Sequence, residues 1–263
     1  MRLSYSKINT YKNCPKKYKY QYIDGIKVPF GKALVFGIFI HQVLEDIEVA
    51  IKDAGPEPNL PEIVKPIWVK DKNNSKLTKG LNEQDITDAK KIIQNYIFHL
   101  EKDGIPDILG VEEWFNITIE GYNIVGKIDL TQREANGKIH VVDHKTTGKK
   151  SIKYLDNDRT QLKLYVVAAM EKYGLDVSEV QASFSLAKCD FDKKTYDFND
   201  KDLEELKQDV VSIAESIKSD SSWDAKTCVL CAWCDFYDMC DEAQSDSTIA
   251  ARRANVLAER DSA

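Results

Sequence analysis

The sequence predicts a mixed α/β domain, one central sheet of mixed strand direction flanked by helices. Three observations predict it. Amphipathic helical spacing dominates residues 36–102, strand and turn patterns follow over 114–145, and helix and strand then alternate up to residue 219. The 263 residues are 43% hydrophobic and 30% charged, the balance of a chain able to bury a core. No linker separates a second domain. Residues 1–245 therefore read as one domain, followed by a helical or frayed tail at 246–263.

The elements follow in order. LSYSKINTYKNCPKKYKYQYI (3–23) reads as two short helices, with Ser4 as an N-cap and Pro15 in the first turn of the second, just after Cys14. Residues 36–52 carry an apolar stripe of Phe36, Ile40, Val43, Leu44 and Ile47. Residues 53–110 read as a largely helical insertion. Its first part, 53–80, is rich in Pro, Gly, Asn and Lys and is expected to be irregular, and 84–102 forms an amphipathic helix through Ala89, Ile93, Tyr96 and Leu100. WFNITIEGYNIVGKIDL (114–130) is two strands about a Glu120–Gly121 turn, and KIHVVDHK (138–145) is a third, reached through Asn136–Gly137. A helix over 157–173, a strand over 178–188, a helix over 200–219 and a cysteine-rich loop at 228–240 complete the domain.

No apolar run approaches the roughly 20 residues needed to cross a bilayer, so no membrane partner is expected. The opening MRLSYSKINTYKNC lacks the apolar core of a signal peptide, which predicts a cytoplasmic location. Cysteines in such a reducing compartment are better candidates for metal ligands or buried thiols than for disulfides. The net charge of −6 argues against a general polyanion binder, but it hides an asymmetry. Residues 1–32 hold Arg2, Lys7, Lys12, Lys16, Lys17, Lys19, Lys27 and Lys32 against Asp24 alone, whereas residues 190–246 are strongly acidic. With Tyr5, Tyr11, Tyr18, Tyr20 and Tyr22 interleaved, the N-terminal lysines have the makings of a groove for a nucleic-acid strand, although part of the tyrosine set has the spacing to pack the helices together.

The run VVDHKTTGKK (141–150) places Asp143 and Lys145 on one face of a strand and His144 on the other. The preceding strand ends GKIDL, which brings Asp129 toward Asp143. Two neighbouring carboxylates repel, and burying them is costly unless a cation lies between them. Mg²⁺ or Mn²⁺ suits such oxygen donors, and a lysine alongside can hold the attacking water or neutralise a phosphate in the transition state. The bland alternative is an Asp–Lys pair lying across a sheet, with Asp129 in an ordinary turn.

Six segments in one order resemble the PD-(D/E)XK nuclease superfamily, specifically its RecB/AddB-like branch, which includes iron–sulfur nucleases associated with CRISPR. They are LSYSKINTYKNCPKKYKYQYI, GIFIHQVLE, GKIDL, VVDHKTTGK, QLKLY and CAWCDFYDMC, spanning residues 3–240. The usual Pro-Asp doublet is Ile128-Asp129 in this chain. The resemblance implies a restriction-endonuclease-like fold whose N- and C-terminal ends join at a four-cysteine cluster. It implies that Asp129 and Asp143 ligate the metal with His41 and the His144 backbone carbonyl, and that Lys145 is the catalytic lysine. An imidazole ligand would favour Mn²⁺ over Mg²⁺. Glu45, one helical turn beyond His41, is either an orienting group or a plain surface acid. Gln161 and Tyr165, at i and i+4, would line the site and contact the DNA strand, alongside Lys7, Lys12, Lys16 and Lys17.

CAWCDFYDMC supplies Cys231, Cys234 and Cys240. The resemblance supplies Cys14 as the fourth thiolate. Four thiolates suit Zn²⁺ or a [4Fe–4S] cluster, which spacing does not separate, and the resemblance favours the cluster. Cys228 is an extra thiol able to replace Cys14, and Cys189 reads as a small buried side chain. The function implied is a metal-dependent deoxyribonuclease, exonucleolytic on single strands or DNA ends, leaving 5′-phosphates, in recombination, repair or replication in a bacterial or phage-infected cell. A helicase or a single-strand-binding protein would be its partner. Two alternatives remain: a catalytically silent DNA-binding or assembly module of the same fold, and an RNA-directed nuclease.

Overall fold

The computed structural model describes residues 1–148 and 152–261, so Lys149 and Lys150 of the VVDHKTTGKK run and the last two tail residues lie outside the described residues. A six-stranded mixed sheet forms the centre. Its strands are β1 (Arg2–Leu3), β2 (Asp107–Ile119), β3 (Tyr122–Arg133), β4 (Ile139–Lys145), β5 (Val180–Leu186) and β6 (Asp192–Asp197). They run in the order β1-β3-β4-β5-β6, with β2 paired to β3 off that path. β1 is parallel to β3 and β4 is parallel to β5, while the β2–β3, β3–β4 and β5–β6 pairs are antiparallel.

The long β2–β3 hairpin turns at Glu120 (φ 48°) and Gly121 (φ 80°), two left-handed residues whose twist matches the paired strands. β2 begins earlier than the 114–130 pattern suggests, because Asp107–Glu113 lacks clean alternation and the register shifts between Ile108 and Gly110.

Helices cover both faces. α3 (Lys32–Ala54), α4 (Leu60–Lys72) and α5 (Glu83–Asp103) lie on one side. Phe36, Ile40, Val43, Leu44 and Ile47 of α3 pack there with Ala89, Ile93, Tyr96 and Leu100 of α5 against Leu130 and Val142 of the sheet. α1 (Tyr5–Asn13), α7 (Thr160–Tyr173) and α8 (Asp200–Ser219) cover the other face around Leu3, Ile124, Val141, Leu162 and Phe184.

Local chemistry explains the boundaries. The Ser4 hydroxyl accepts the Lys7 amide and starts α1, and Pro15 opens α2 (Pro15–Tyr18), which continues into a π turn at Lys19–Ile23. Residues 53–80 contain the regular helix α4, contrary to the irregular segment expected. Asn59 caps it and Pro61 sits harmlessly in its first turn, while Pro66 is the interior proline that misleads a reading by composition. The expected 157–173 helix is α7, which starts at Thr160, and a short unforeseen helix, α6 (Ile152–Asn157), precedes it. β6 and β1 were not foreseen: β6 alternates weakly, and β1 is only two residues long.

The end of the chain folds onto the cysteine loop. α9 (Asp241–Ser245) and α10 (Ser247–Asp261) bury Ala243, Ile249 and Val256 against Ala232 and Tyr237. Arg253 donates to the Ala232 carbonyl at 3.1 Å. Among the described residues, no helix is long and apolar enough to cross a membrane.

Candidate metal and nucleic-acid site

Three acids fall in one transverse row of the sheet. The β2–β3 register pairs Val111 with Leu130 and Glu113 with Ile128, which puts Glu112 opposite Asp129. The β3–β4 register ends at Leu130–Val142, and its continuation puts Asp143 beyond Asp129. Glu112 has φ 47°, a left-handed conformation that a side chain rarely takes inside a strand. Such a backbone persists only where its surroundings enforce it, and it clusters at functional sites.

α3 brings the imidazole. Gly37 lies where a Cβ would meet the Thr146 hydroxyl oxygen at 3.1 Å, so the missing side chain lets the helix approach the end of β4. One turn later His41 Nδ1 stands 3.5 Å from Asp129 Oδ2. Donor atoms of His41, Glu112 and Asp129 all lie within 4.8 Å of one another, the single such group of three among the described residues. Sequence reasoning misses Glu112, because the strand pattern begins only at residue 114. Its unusual backbone is invisible in the letters.

Asp143 sits beside this group rather than within it. Its Oδ1 accepts the Tyr165 hydroxyl at 3.3 Å, and its Oδ2 has the Lys145 ammonium at 2.7 Å without receiving an aligned hydrogen bond. Lys145 Nζ also donates to Gln161 Oε1 at 2.8 Å, and Gln161 Nε2 donates to the Tyr165 hydroxyl at 3.0 Å. The i, i+4 spacing on α7 thus closes a ring of Asp143, Lys145, Gln161 and Tyr165. The Asp129 Oδ2 accepts the His144 backbone N–H at 2.9 Å.

Burial and the Asp143 charge push the Asp129 carboxyl well above the usual carboxylate range. Burial and the His144 ring depress His41, which keeps its imidazole neutral with a lone pair to offer. Neighbouring acids that resist joint ionisation, a buried carboxylate oxygen without a hydrogen bond and a neutral imidazole together form a donor set for one divalent cation of the Mg²⁺/Mn²⁺ kind. The residues fit the ion.

His144 points to the opposite face, as strand alternation requires, and bonds Glu48 there. Glu45, the acid flagged by position, instead accepts from Gln42 at 3.2 Å, and burial followed by Glu112 raises its pKa.

The N-terminal lysines are more occupied than their count suggests. Lys7 Nζ donates to the Arg2 carbonyl at 3.0 Å, Lys12 lies 3.8 Å from Asp209, and Lys16 pairs with Glu242 at 2.5 Å. Lys17 gives its backbone N–H to Cys14 Sγ at 3.4 Å. Of the tyrosines, Tyr18 stacks on Trp223 at 6.0 Å and Tyr11 donates to Asp220 at 2.8 Å, both structural roles.

Cys14, Cys228, Cys231, Cys234 and Cys240 all line one cavity of about 520 Å³ between the N-terminal helices and the C-terminal loop. No three of their sulfurs lie within 4.8 Å of one another. Cys189 is buried elsewhere. The ends are joined there by Lys16–Glu242 and by the Tyr20 hydroxyl donating to the Met239 carbonyl at 2.7 Å.

Comparison with known proteins bears on the fold and the family. One solved structure, a protein of Eubacterium rectale with a provisional exonuclease assignment, superposes with a TM-score of 0.55 at 14% identity, covering 90% of this chain and 87% of its own. This likeness is one of fold. A second, SSO0001, covers 87% of this chain and 94% of its own at 15% identity, but its TM-score of 0.35 carries no argument. No curated protein matches the chain significantly. The family model of the PD-(D/E)XK nuclease superfamily matches residues 2–241, so with its mixed sheet and acid-lined strand ends the chain belongs to that superfamily.

Proposed function

We propose that this chain is a metal-dependent deoxyribonuclease acting on single strands or DNA ends. The observation that carries the reading is the pairing of a three-donor group, His41, Glu112 and Asp129, with the Asp143–Lys145–Gln161–Tyr165 ring beside it. A bound Mg²⁺ or Mn²⁺ supplies Lewis-acid polarisation of a phosphoryl oxygen and acidifies water.

The protein's own groups do the rest. Asp129, Asp143, His41 and Glu112 hold the ion, the His144 carbonyl adding a further oxygen. Gln161 and Asp143 aim the Lys145 ammonium at the reacting phosphate, where it offsets charge that grows in the transition state. Tyr165 keeps Asp143 oriented and Gln161 in place. Water attacks phosphorus in line, losing a proton, and the 3′-oxygen leaves and takes up a proton, so the fragment upstream of the cut ends in a 3′-hydroxyl and the downstream fragment carries the 5′-phosphate. Lys7, Lys12 and Lys16 contribute phosphate contacts by exchanging their present partners, and Lys17 contributes its ammonium while its backbone stays on Cys14.

At the cysteine cavity we propose a [4Fe–4S] cluster held by Cys14, Cys231, Cys234 and Cys240. Four thiolates suit a single Zn²⁺ as well as a cluster, and what supports the cluster is the resemblance of the Cys14 and CAWCDFYDMC segments to iron–sulfur nucleases of the superfamily. Cys14 also caps α2, its sulfur accepting the Lys17 backbone N–H at 3.4 Å, which fixes it at the mouth of the cavity.

The test is cleavage of 5′- and 3′-end-labelled single- and double-stranded DNA, with matched RNA, in Mg²⁺ and in Mn²⁺. Metal-dependent shortening of DNA from one end supports the reading. Preference for RNA, or metal-independent or absent cleavage, overturns it.

A further inference from the structure

The catalytic-strand sequence Asp143-His144-Lys145 has a middle residue whose side chain neither ligand geometry nor proton transfer explains. Its imidazole is buried, 3% exposed, and turned toward α3. There His144 Nε2 lies 2.9 Å from Glu48 Oε1, and the same oxygen accepts the Tyr96 hydroxyl of α5 at 2.7 Å. Glu48 is itself 1% exposed. A carboxylate so deep is costly unless its partners compensate it, and an apolar residue would fill the place more cheaply if packing were its only task.

Place explains what the cost achieves. Glu48 follows His41 by seven residues, two turns along the same face of α3. His144 lies between the two residues that ring against Gln161 and Tyr165, and its backbone N–H holds Asp129. The His41 and His144 rings stand edge to face with centroids 6.4 Å apart, while Tyr96 and Phe191 wall the other side of the His144 ring. One oxygen therefore couples the helix carrying His41 to the strand carrying Asp143 and Lys145.

We propose that Glu48 is a positioning residue: through the His144 imidazole it fixes His41 of α3 against the Asp143–Lys145 end of β4, with Tyr96 orienting its carboxylate. It touches neither substrate nor cation. The proposal rests on the metal-site reading for its affinity arm and on the nuclease reading for its cleavage arm.

Because a single acceptor oxygen serves both bonds, Glu48→Gln keeps the contact and Glu48→Leu removes it. Tyr96→Phe takes away only the orienting donor. Full-length variants are compared by calorimetric Mn²⁺ titration, by the rate of cleavage of labelled DNA, by melting temperature and by hydrogen exchange of the β4 amides. Loss of an outer partner of a metal site costs about 10- to 100-fold in metal affinity. A fall of that size is expected for Glu48→Leu, with faster exchange at His144, a lower kcat and an unchanged KM for DNA. Glu48→Gln should stay within a few-fold of wild type, and Tyr96→Phe should fall between.

A folded Glu48→Leu variant with wild-type Mn²⁺ affinity and β4 exchange overturns the proposal. So does a Glu48→Gln variant as impaired as Glu48→Leu, since charge rather than placement would then matter. If Glu48→Leu does not fold, Tyr96→Phe decides, and wild-type affinity and exchange there overturn it. A wild type that binds Mn²⁺ but cuts no DNA ends the nuclease reading while leaving the affinity and exchange arms to judge Glu48. A wild type that binds no Mn²⁺ ends the metal reading, and exchange alone then judges it.

Discussion

Lys145 and Gln161 meet at 2.8 Å across the gap between the end of β4 and the first turn of α7, and through that bond the helix steers the ammonium. Lys145 has few rotamers that satisfy both Gln161 and Asp143 at once. Gln161→Ala should therefore leave folding intact and lower the cleavage rate by about 10-fold or more, the range for misplacing a transition-state charge partner. Tyr165→Phe, which deletes the donor to Asp143 and the acceptor for Gln161 without freeing the lysine, should cost less. Single-turnover cleavage of labelled DNA at saturating Mn²⁺ reads both.

Asp143→Asn and Lys145→Ala should each reduce cleavage by at least about 10²- to 10³-fold. The two should differ in stability. Asp143→Asn removes a charge that burdens the Asp129 carboxyl, so the metal-free melting temperature should hold or rise. Lys145→Ala leaves Asp143 buried without its ammonium and should lower it. Thermal melts in chelator compare them.

Glu112→Gln tests the donor that the sequence did not reveal. Its carboxylate also pairs with Lys127 at 2.9 Å, on the surface side of the group. Calorimetry should show weaker Mn²⁺ binding with little change in melting temperature, since a half-exposed pair contributes about 1 kcal/mol at most.

Acid sensitivity should arise away from the metal. His140 is buried, which holds its imidazole below the usual histidine range despite Glu134, with Ser183, Lys193 and Asp197 as its other neighbours. Burial pushes Glu134 up, but the His140 and Gln132 contacts outweigh it and hold its carboxyl below the ordinary range. For His140 the folded pKa is depressed, so its contribution is complete above about pH 6.5 and is lost as pH falls through the folded value. Glu134 behaves likewise from about pH 4.3 downward. His140→Gln should flatten the fall in melting temperature between about pH 7 and pH 5.

Removing residues 246–263 should loosen the cysteine loop. Ile249 and Val256 are nearly fully buried against it, and each buried aliphatic side chain contributes about 1.5–3 kcal/mol. Limited proteolysis should then cut within residues 228–240 while the sheet stays protected.

Much of this was legible in the letters. The α3 stripe, the Glu120–Gly121 turn, the Ser4 cap and the α8 span follow from local rules and appear where those rules place them. Alternation put Asp143 and Lys145 on one face and i, i+4 spacing put Gln161 and Tyr165 on another, but that the two pairs meet in one ring was implied only by the resemblance to the superfamily. Glu112 and Glu48 were not legible. The first depends on a left-handed strand residue and a register with β3, and the second on a contact with His144, 96 positions away, that no local periodicity encodes. Helix α4 was missed for the opposite reason: its prolines weighed more in composition than in the positions they occupy.

The cavity shared by Cys14 and the C-terminal loop has a consequence for biosynthesis. Lys16 and Glu242 are 226 positions apart, so the first helices emerge from the ribosome long before the partners that seat them. At about 5–20 residues per second that interval is roughly ten to fifty seconds. During it a basic, tyrosine-rich pair of helices waits without the loop that seats it, so this part of the molecule closes only once that distant loop has been made.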